Sequence, residues 1–234
     1  MNASDLLHLL GFSFLFLGIG AALYFYLPIP KRQAPQVVAP RRSVAQWVLA
    51  ADAAELYPPG HARRVADLAA RLAEAIALPE ALRPRLEQAC LLHDLGMVDV
   101  PPALVARPGF LTQAELFQIW DHPADGAARA GEAAADPGVG QWVRWHHERW
   151  DGLGYPDGLA GSQIPLPARI LRLADTAEAM LQPRPYRPGF GGDEVIAEIN
   201  RLAGVAFDPE LARIFVDYVL PRYLEEQAGA RPRV

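Results

Sequence analysis

The chain contains one cysteine, Cys90, in 234 residues. No disulfide can form within it, which excludes a cystine-stapled secreted scaffold and suits a reducing compartment. Lysine is just as scarce: Lys31 stands alone, and the rest of the 22 basic residues are arginine. Positive charge is in deficit, since 27 acids leave a formal net charge of −5. A protein built to bind DNA carries a basic footprint, so DNA is not among the expected partners. Alternating apolar runs of strand length are missing, as is any internal repeat, which points to an all-α fold. What is present is apolar: hydrophobic residues make up 51% and charged residues 21%. That excludes a solvated disordered chain and fits one domain with an appendage.

The appendage is N-terminal. Residues 6–27, LLHLLGFSFLFLGIGAALYFYL, carry one ionisable group, His8. As a helix they would span about 33 Å, enough for a hydrocarbon core of about 30 Å. A signal peptide fits less well, because no basic segment precedes the run and no small-residue cleavage site follows it. A buried core helix is disfavoured by the lack of a polar face. Lys31, Arg32, Arg41 and Arg42 follow the run, and no basic residue precedes it. The positive-inside rule then predicts a single-pass inner-membrane anchor with the remainder in the cytoplasm. Tyr24 and Tyr26 would sit at the inner interface. The expected organisation is an extracytoplasmic tip and transmembrane helix over 1–27, a Pro/Arg linker over 28–42, a helical-bundle domain over 43–224 and a disordered tail over 225–234. Pro28, Pro30, Pro35 and Pro40 keep the linker non-helical.

Within the domain, Val65, Leu68, Leu72 and Ile76 recur at helical spacing, as do Leu82, Leu86, Ala89 and Leu92. Leu171, Ala174, Glu178 and Leu181 share one face of a segment started by Pro167. Thr112 with Glu115 reads as a capping box, Asp193 as an N-cap, and Pro209 as the first residue of a last helix running toward Tyr223.

Five histidines fall in this part: His61, His93, His122, His146 and His147. A single helical histidine is more often structural than a ligand. Here two are adjacent, one is followed by Asp94, and Asp175 lies on a later apolar helix. Imidazole with carboxylate suits first-row transition metals, and without a thiolate cluster a structural zinc site is not favoured. Spacing alone leaves a metal site and structural histidines as open alternatives.

The words around these histidines are more specific. LLHDLG at 91–96 resembles the signature of HD-domain phosphohydrolases. The segment 144–180, with HHE, DGLGYP, IPL and ARI, is similar almost throughout to the HD-GYP subfamily. RPGFLTQAE, HPADG, RPYR and AGVAFDPEL also stand in family order, so the resemblance runs from about Ser43 to Tyr223. It implies that His61, His93, Asp94, His122, His146, His147 and Asp175 surround two divalent transition-metal ions, iron or manganese, with Asp94 bridging and His93 and Asp94 catalytic. It implies hydrolysis of cyclic di-GMP to pGpG and on to GMP, with Tyr155, Arg184 and Arg187 near the substrate. For Tyr155 a packing role in the loop is equally compatible. Gly152, Gly154 and Gly158 are expected to supply turns with positive φ. Arg169 reads as a structural ion-pair residue.

Two positions depart from the family. Met97 stands where the family usually has lysine in HDxGK, so one positive charge near the phosphate is missing. Tyr57 stands where a third metal would need glutamate, with Glu55 out of register, so two ions are expected. The alternatives are a catalytically weak cyclic di-GMP receptor and a phosphohydrolase of another cyclic dinucleotide. No sensor domain is recognisable, so the partners expected are a homodimer or a signalling protein. Gly191-Gly192-Asp193-Glu194 resembles a diguanylate cyclase signature, but Val195 replaces its phenylalanine and no cyclase-length domain surrounds it. Trp142, Trp145 and Trp150 read as core and loop-packing residues.

Overall fold

The computed structural model describes residues 43–54, 58–107, 110–183 and 187–230. The apolar run 6–27, the linker 28–42, Glu55, Tyr57, Arg184 and residues 231–234 lie outside them. Among the described residues every regular element is helical, and one β-bridge joins Ala203 to Phe207. No helix among them is long and apolar enough to cross a membrane.

The order is α1 (Val44–Ala54), α2 (His61–Ala75), α3 (Arg83–Leu92), α4 (Pro102–Val105), α5 (Gln113–Trp120), α6 (His122–Ala134), α7 (Pro137–Arg144), α8 (Leu166–Leu181), α9 (Gly192–Leu202), α10 (Pro209–Ile214) and α11 (Leu220–Ala230). The centre is α2 against α3 and α8. On α2, Val65, Leu68, Ala69 and Leu72 form one fully buried stripe at i, i+3, i+4 and i+7. Each buried leucine there contributes about 1.5–3 kcal/mol relative to exposure. Helix α8 is buried nearly all round, through Ala168, Ile170, Leu171, Leu173, Ala174 and Ala177, which places its acids Asp175 and Glu178 inside the protein. Outside this core, Met97, Val100 and Leu104 form a small separate apolar cluster covered by Leu111 and Ile119.

Several local signals act as the sequence predicts. The Glu115 carboxylate accepts the Thr112 backbone N–H and hydroxyl, both at 2.9 Å, at the start of α5. Asp208 accepts the Glu210 N–H at 2.9 Å to start α10 at Pro209. Arg169 pairs with Asp208 at 2.6 Å. Two differ. The cap of α9 is Gly191, whose N–H donates to Glu194 at 2.7 Å, so Asp193 lies inside the first turn. The C-terminal helix continues through a π turn at Phe215–Val219 and on to Ala230, past the expected end of the domain at 224. It is held against α2 by Arg71, which pairs with Glu226 at 2.7 Å and lies 5.5 Å from the Tyr223 ring.

One close approach positions the site. A Cβ on Gly96 would lie 2.0 Å from the His122 carbonyl oxygen, and one on Gly126 would lie 2.7 Å from the Gly96 nitrogen. Only glycines let the turn after α3 rest directly on the start of α6, which carries Asp94 to His122.

Candidate metal centre

The site residues come mostly from element ends. His61 opens α2, His93 and Asp94 end α3, His122 opens α6, and His146 and His147 follow α7; Asp175 alone lies mid-helix, on α8. Helix ends leave backbone groups unsatisfied, and these orient the rings. His93, His122 and His146 each donate through Nδ1 to the carbonyl three residues back, Cys90, Ile119 and Val143, at 2.7, 2.7 and 2.6 Å. A carbonyl only accepts, so Nδ1 holds a proton and Nε2 is the atom turned inward. Those three Nε2 atoms are buried and face the carboxylates of the site. His61 is oriented by a charge instead: its Nδ1 meets Glu178 at 2.5 Å, and Arg64 binds the other oxygen of the same carboxylate.

All seven residues implied by the resemblance meet. Asp94 lies at the middle: its Oδ2 is 2.7 Å from His93 Nε2 and 3.5 Å from His61 Nε2, while its Oδ1 is 3.2 Å from His122 Nε2 and 3.9 Å from His146 Nε2. Asp175 Oδ1 approaches His61 and His93 at 3.4 and 3.6 Å. Two groups have ligand atoms within 4.8 Å of one another, His61/His93/Asp94 and His122/His146/His147. Inward-turned Nε2 atoms in a carboxylate–imidazole setting fit two divalent transition ions, with one carboxylate able to serve both.

The electrostatics agree with a site built around positive charge. Burial works against a charge on His61, but Asp175, Asp94 and Glu178 outweigh it and raise its pKa to about 11. His93 is raised too, against burial, by Asp94 and Asp175. Burial likewise opposes charge on Asp94 and Asp175, yet the imidazoles hold both well below the ordinary carboxylate range. Burial and the neighbouring rings lower His146 to about 3 and depress His147. The ionised acids thus keep protons on His61 and His93, where a metal ion would replace them.

The DGLGYP loop leans on this cluster. Buried Glu148, its pKa raised by burial, accepts the backbone N–H groups of Asp157, Gly158 and Leu159 at 2.7, 3.0 and 3.0 Å. Gly152 and Gly158 have φ of +78° and +69°. Gly154 does not, and its role is contact: a Cβ there would lie 2.3 Å from the Arg149 nitrogen. Tyr155 stacks between His147 (4.9 Å) and Trp120 (5.5 Å) beside an open cavity of about 200 Å³.

Arg187 does not face that cavity. Its guanidinium donates to the carbonyls of Ala179, Met180, Gln182 and Pro188 and covers the Phe190 ring, which satisfies the exposed carbonyls at the end of α8. Met97 is buried in the small apolar cluster, away from the cavity wall. Trp142 lies under Arg85, Trp145 donates to Asp157 at 2.8 Å, and Trp150 lies under Arg169, as core and loop-packing residues. The aromatic at the cavity is Trp120. Sequence reasoning missed it, together with the orienting roles of Glu178, Arg64 and Glu148. The available signals were position: Glu178 is three residues from Asp175, Arg64 three from His61, and Glu148 next to His147.

An HD domain model matches residues 49–211. Among curated proteins the chain is 38% identical over 148 residues to the cyclic di-GMP phosphodiesterase response regulator RpfG of Xanthomonas campestris pv. campestris, covering 62% of this chain and 39% of that protein. It is 33% identical over 159 residues to a cyclic di-GMP phosphodiesterase of Thermotoga maritima, covering 67% and 43%. It is 36% identical over 136 residues to 3'3'-cGAMP-specific phosphodiesterase 1 of Vibrio cholerae, covering 58% and 32%. The chain thus spans less than half the length of these relatives. Among solved structures, the HD domain of the L. monocytogenes phosphodiesterase PgpH, in complex with cyclic-di-AMP, superposes with a TM-score of 0.59 at 17% identity, over 82% of this chain and 99% of that one. The same helical fold, a buried His/Asp cluster at the expected positions and a clamped DGLGYP loop therefore coincide with the sequence match: the chain belongs to the HD-domain family, in its HD-GYP branch.

Proposed function

We propose that this protein is a metal-dependent phosphodiesterase that hydrolyses cyclic di-GMP to pGpG, to GMP, or to both. The observation that carries the reading is a single carboxylate, Asp94, with one oxygen toward His61 and His93 and the other toward His122 and His146, all four through their buried Nε2 atoms. Two divalent transition ions, iron or manganese, when bound there would lower the pKa of a water and neutralise the phosphodiester under attack. The protein's part is orientation. Backbone carbonyls and Glu178 fix the imidazole tautomers, Asp94 and Asp175 supply the compensating charge, and Glu148 holds the DGLGYP loop over the cluster. His61, His93, Asp94, His122, His146, His147 and Asp175 are the proposed ligands, and Tyr155 is the proposed substrate contact from the loop. The test is metal analysis with a hydrolysis assay on the full chain. About two ions per chain and release of linear product are expected; a metal-loaded chain that cleaves no cyclic dinucleotide overturns the reading.

Burial of Met97 in an apolar cluster favours one alternative, a receptor that binds cyclic di-GMP and turns it over poorly. Binding without cleavage identifies it. Faster cleavage of 3'3'-cGAMP than of cyclic di-GMP would mark a different substrate within the same chemistry. We further propose that residues 6–27 anchor the protein in the inner membrane with the HD domain in the cytoplasm, supported by four basic residues after the run and none before it. A reporter fused after Val234 should be active only in its cytoplasmic form; periplasmic activity refutes the orientation.

A further inference from the structure

Arginines around the site are paired with acids: Arg64 with Glu178, Arg149 with Asp151 at 2.6 Å, and Arg169 with Asp208 at 2.6 Å. Arg172 is different. It lies on α8, three residues before Asp175 and four before Thr176. Its Nε–H donates to the Ala206 carbonyl at 3.3 Å, and its guanidinium lies 5.9 Å from the centre of the Phe207 ring. Among the described residues no carboxylate pairs with it. A guanidinium has five N–H donors in a planar fork, so four remain unspent here. Burial draws its pKa down to about 10, so it stays charged at neutral pH in a setting that penalises an unpaired charge.

Arg172 lines the open cavity of about 200 Å³ beside the metal cluster, and the cavity includes His147, itself one of the clustered imidazoles. The wall also carries Asp121 and Thr176, and most of the remainder is aromatic and apolar. Trp120 and Tyr155 are stacked with planes 22° apart, and Leu202 and Phe207 stand with them around the cavity. One unpaired guanidinium with an aromatic and apolar wall is the complement of a phosphate attached to a purine: the fork matches two phosphate oxygens, and the wall takes the base. Arg149 also lines the cavity, but its charge is already matched by Asp151.

We propose that Arg172 binds a phosphate oxyanion of the nucleotide, separate from the phosphate attacked at the metal cluster, while the adjoining base lies against Trp120, Tyr155 and Phe207. The proposal rests on the phosphodiesterase reading and names how that site selects a nucleotide. Arg172 is a binding residue, acting on affinity more than on the chemical step.

The test compares binding of GMP and guanosine to the metal-loaded full chain and its Arg172→Gln variant by calorimetry, with KM and kcat for cyclic di-GMP measured alongside. Loss of a charge-assisted hydrogen bond should weaken GMP binding about 10- to 100-fold. Guanosine binding should change by less than about twofold, and the KM for cyclic di-GMP should rise more than kcat falls. GMP affinity within about twofold of the wild type in the variant overturns the proposal. If Arg172→Gln loses cooperative melting, Arg172→Lys decides. It keeps the charge and loses the fork, so GMP affinity should drop about threefold or more, and wild-type affinity in that variant overturns the proposal. The two readings fail separately. A wild type that cleaves no cyclic dinucleotide, with GMP binding still lost in the variant, refutes the phosphodiesterase and supports the phosphate site. Cleavage with GMP binding and KM unmoved refutes the phosphate site alone.

Discussion

The two halves of the histidine cluster are held by different forces. His61 and His93 face two carboxylates, Asp94 and Asp175, within 3.6 Å, and His61 is oriented by Glu178, which Arg64 also binds. His122 and His146 are oriented by backbone carbonyls, and the carboxylate facing them is the far oxygen of Asp94. Negative charge is thus concentrated on one side. A cation bound at His61/His93/Asp94 is compensated locally, whereas one at His122/His146/His147 depends on neutral imidazoles and a shared acid. Two ions of unequal affinity should follow, joined through one residue.

Removing that residue should have the largest effect. Asp94→Ala is expected to lower bound metal from about two ions per chain to well under one and to reduce hydrolysis to background, measured by elemental analysis and product assay; a full metal load in this variant refutes the assignment. Next in size, His147→Ala should empty the imidazole half only, leaving close to one ion per chain. Loss of both ions together would show that the halves are not separable. Glu178→Gln should weaken metal binding on the His61 side about 10- to 100-fold, as outer partners of ligating histidines do, with the other half unaffected in chelator competition. Proton release gives a milder test. His61 and His93 have raised pKa values in the metal-free site, so both are protonated at neutral pH. Metal uptake there should therefore release protons, visible as binding heats that vary with the ionisation heat of the buffer. The charge also favours the folded metal-free protein, fully below the ordinary histidine pKa of about 6.5 and fading as pH rises through about 11.

The smallest effect should come from Met97→Lys. Positive charge at a reacting phosphate can be worth about 10²–10³ in rate. Met97 is 7% exposed among Val100 and Leu104, however, so a lysine there must bury or bend its ammonium outward. A rate gain below about tenfold is expected, with a stability loss of about 1–3 kcal/mol in thermal melting. A larger gain would show that the side chain reaches the substrate and that the missing charge limits turnover.

Five of the seven clustered residues were legible because they sit in short words, HD, HHE or AD, whose residue types have few other uses together, while His122 in HPADG and His61 were carried by the resemblance alone. The residues that orient them were harder to read. Glu178 looked like one position on an apolar face, and only the packing of α8 against α2 shows it under His61. Arg187, read as a phosphate contact, satisfies helix-end carbonyls instead, because α8 stops at Leu181 and leaves acceptors within its reach. The end of the domain was misjudged for a similar reason. Nothing local between 225 and 230 announces order, but Arg71 on a distant helix captures Glu226.

The resemblance supplied the candidate metal-site residues, while local patterns by themselves determined the all-helical class, the capping box at Thr112 and the start of α10. Each depends on residues within a few positions of one another, where spacing and hydrogen-bonding capacity are enough. Tertiary structure alone decided that Asp94 lies between two histidine groups, since that requires the Gly96–Gly126 contact between segments thirty positions apart. It also decided which of three arginines near the site meets no carboxylate among the described residues. Arg64, Arg169 and Arg172 look alike along the chain, and their different roles follow from whether folding brings a carboxylate to each guanidinium.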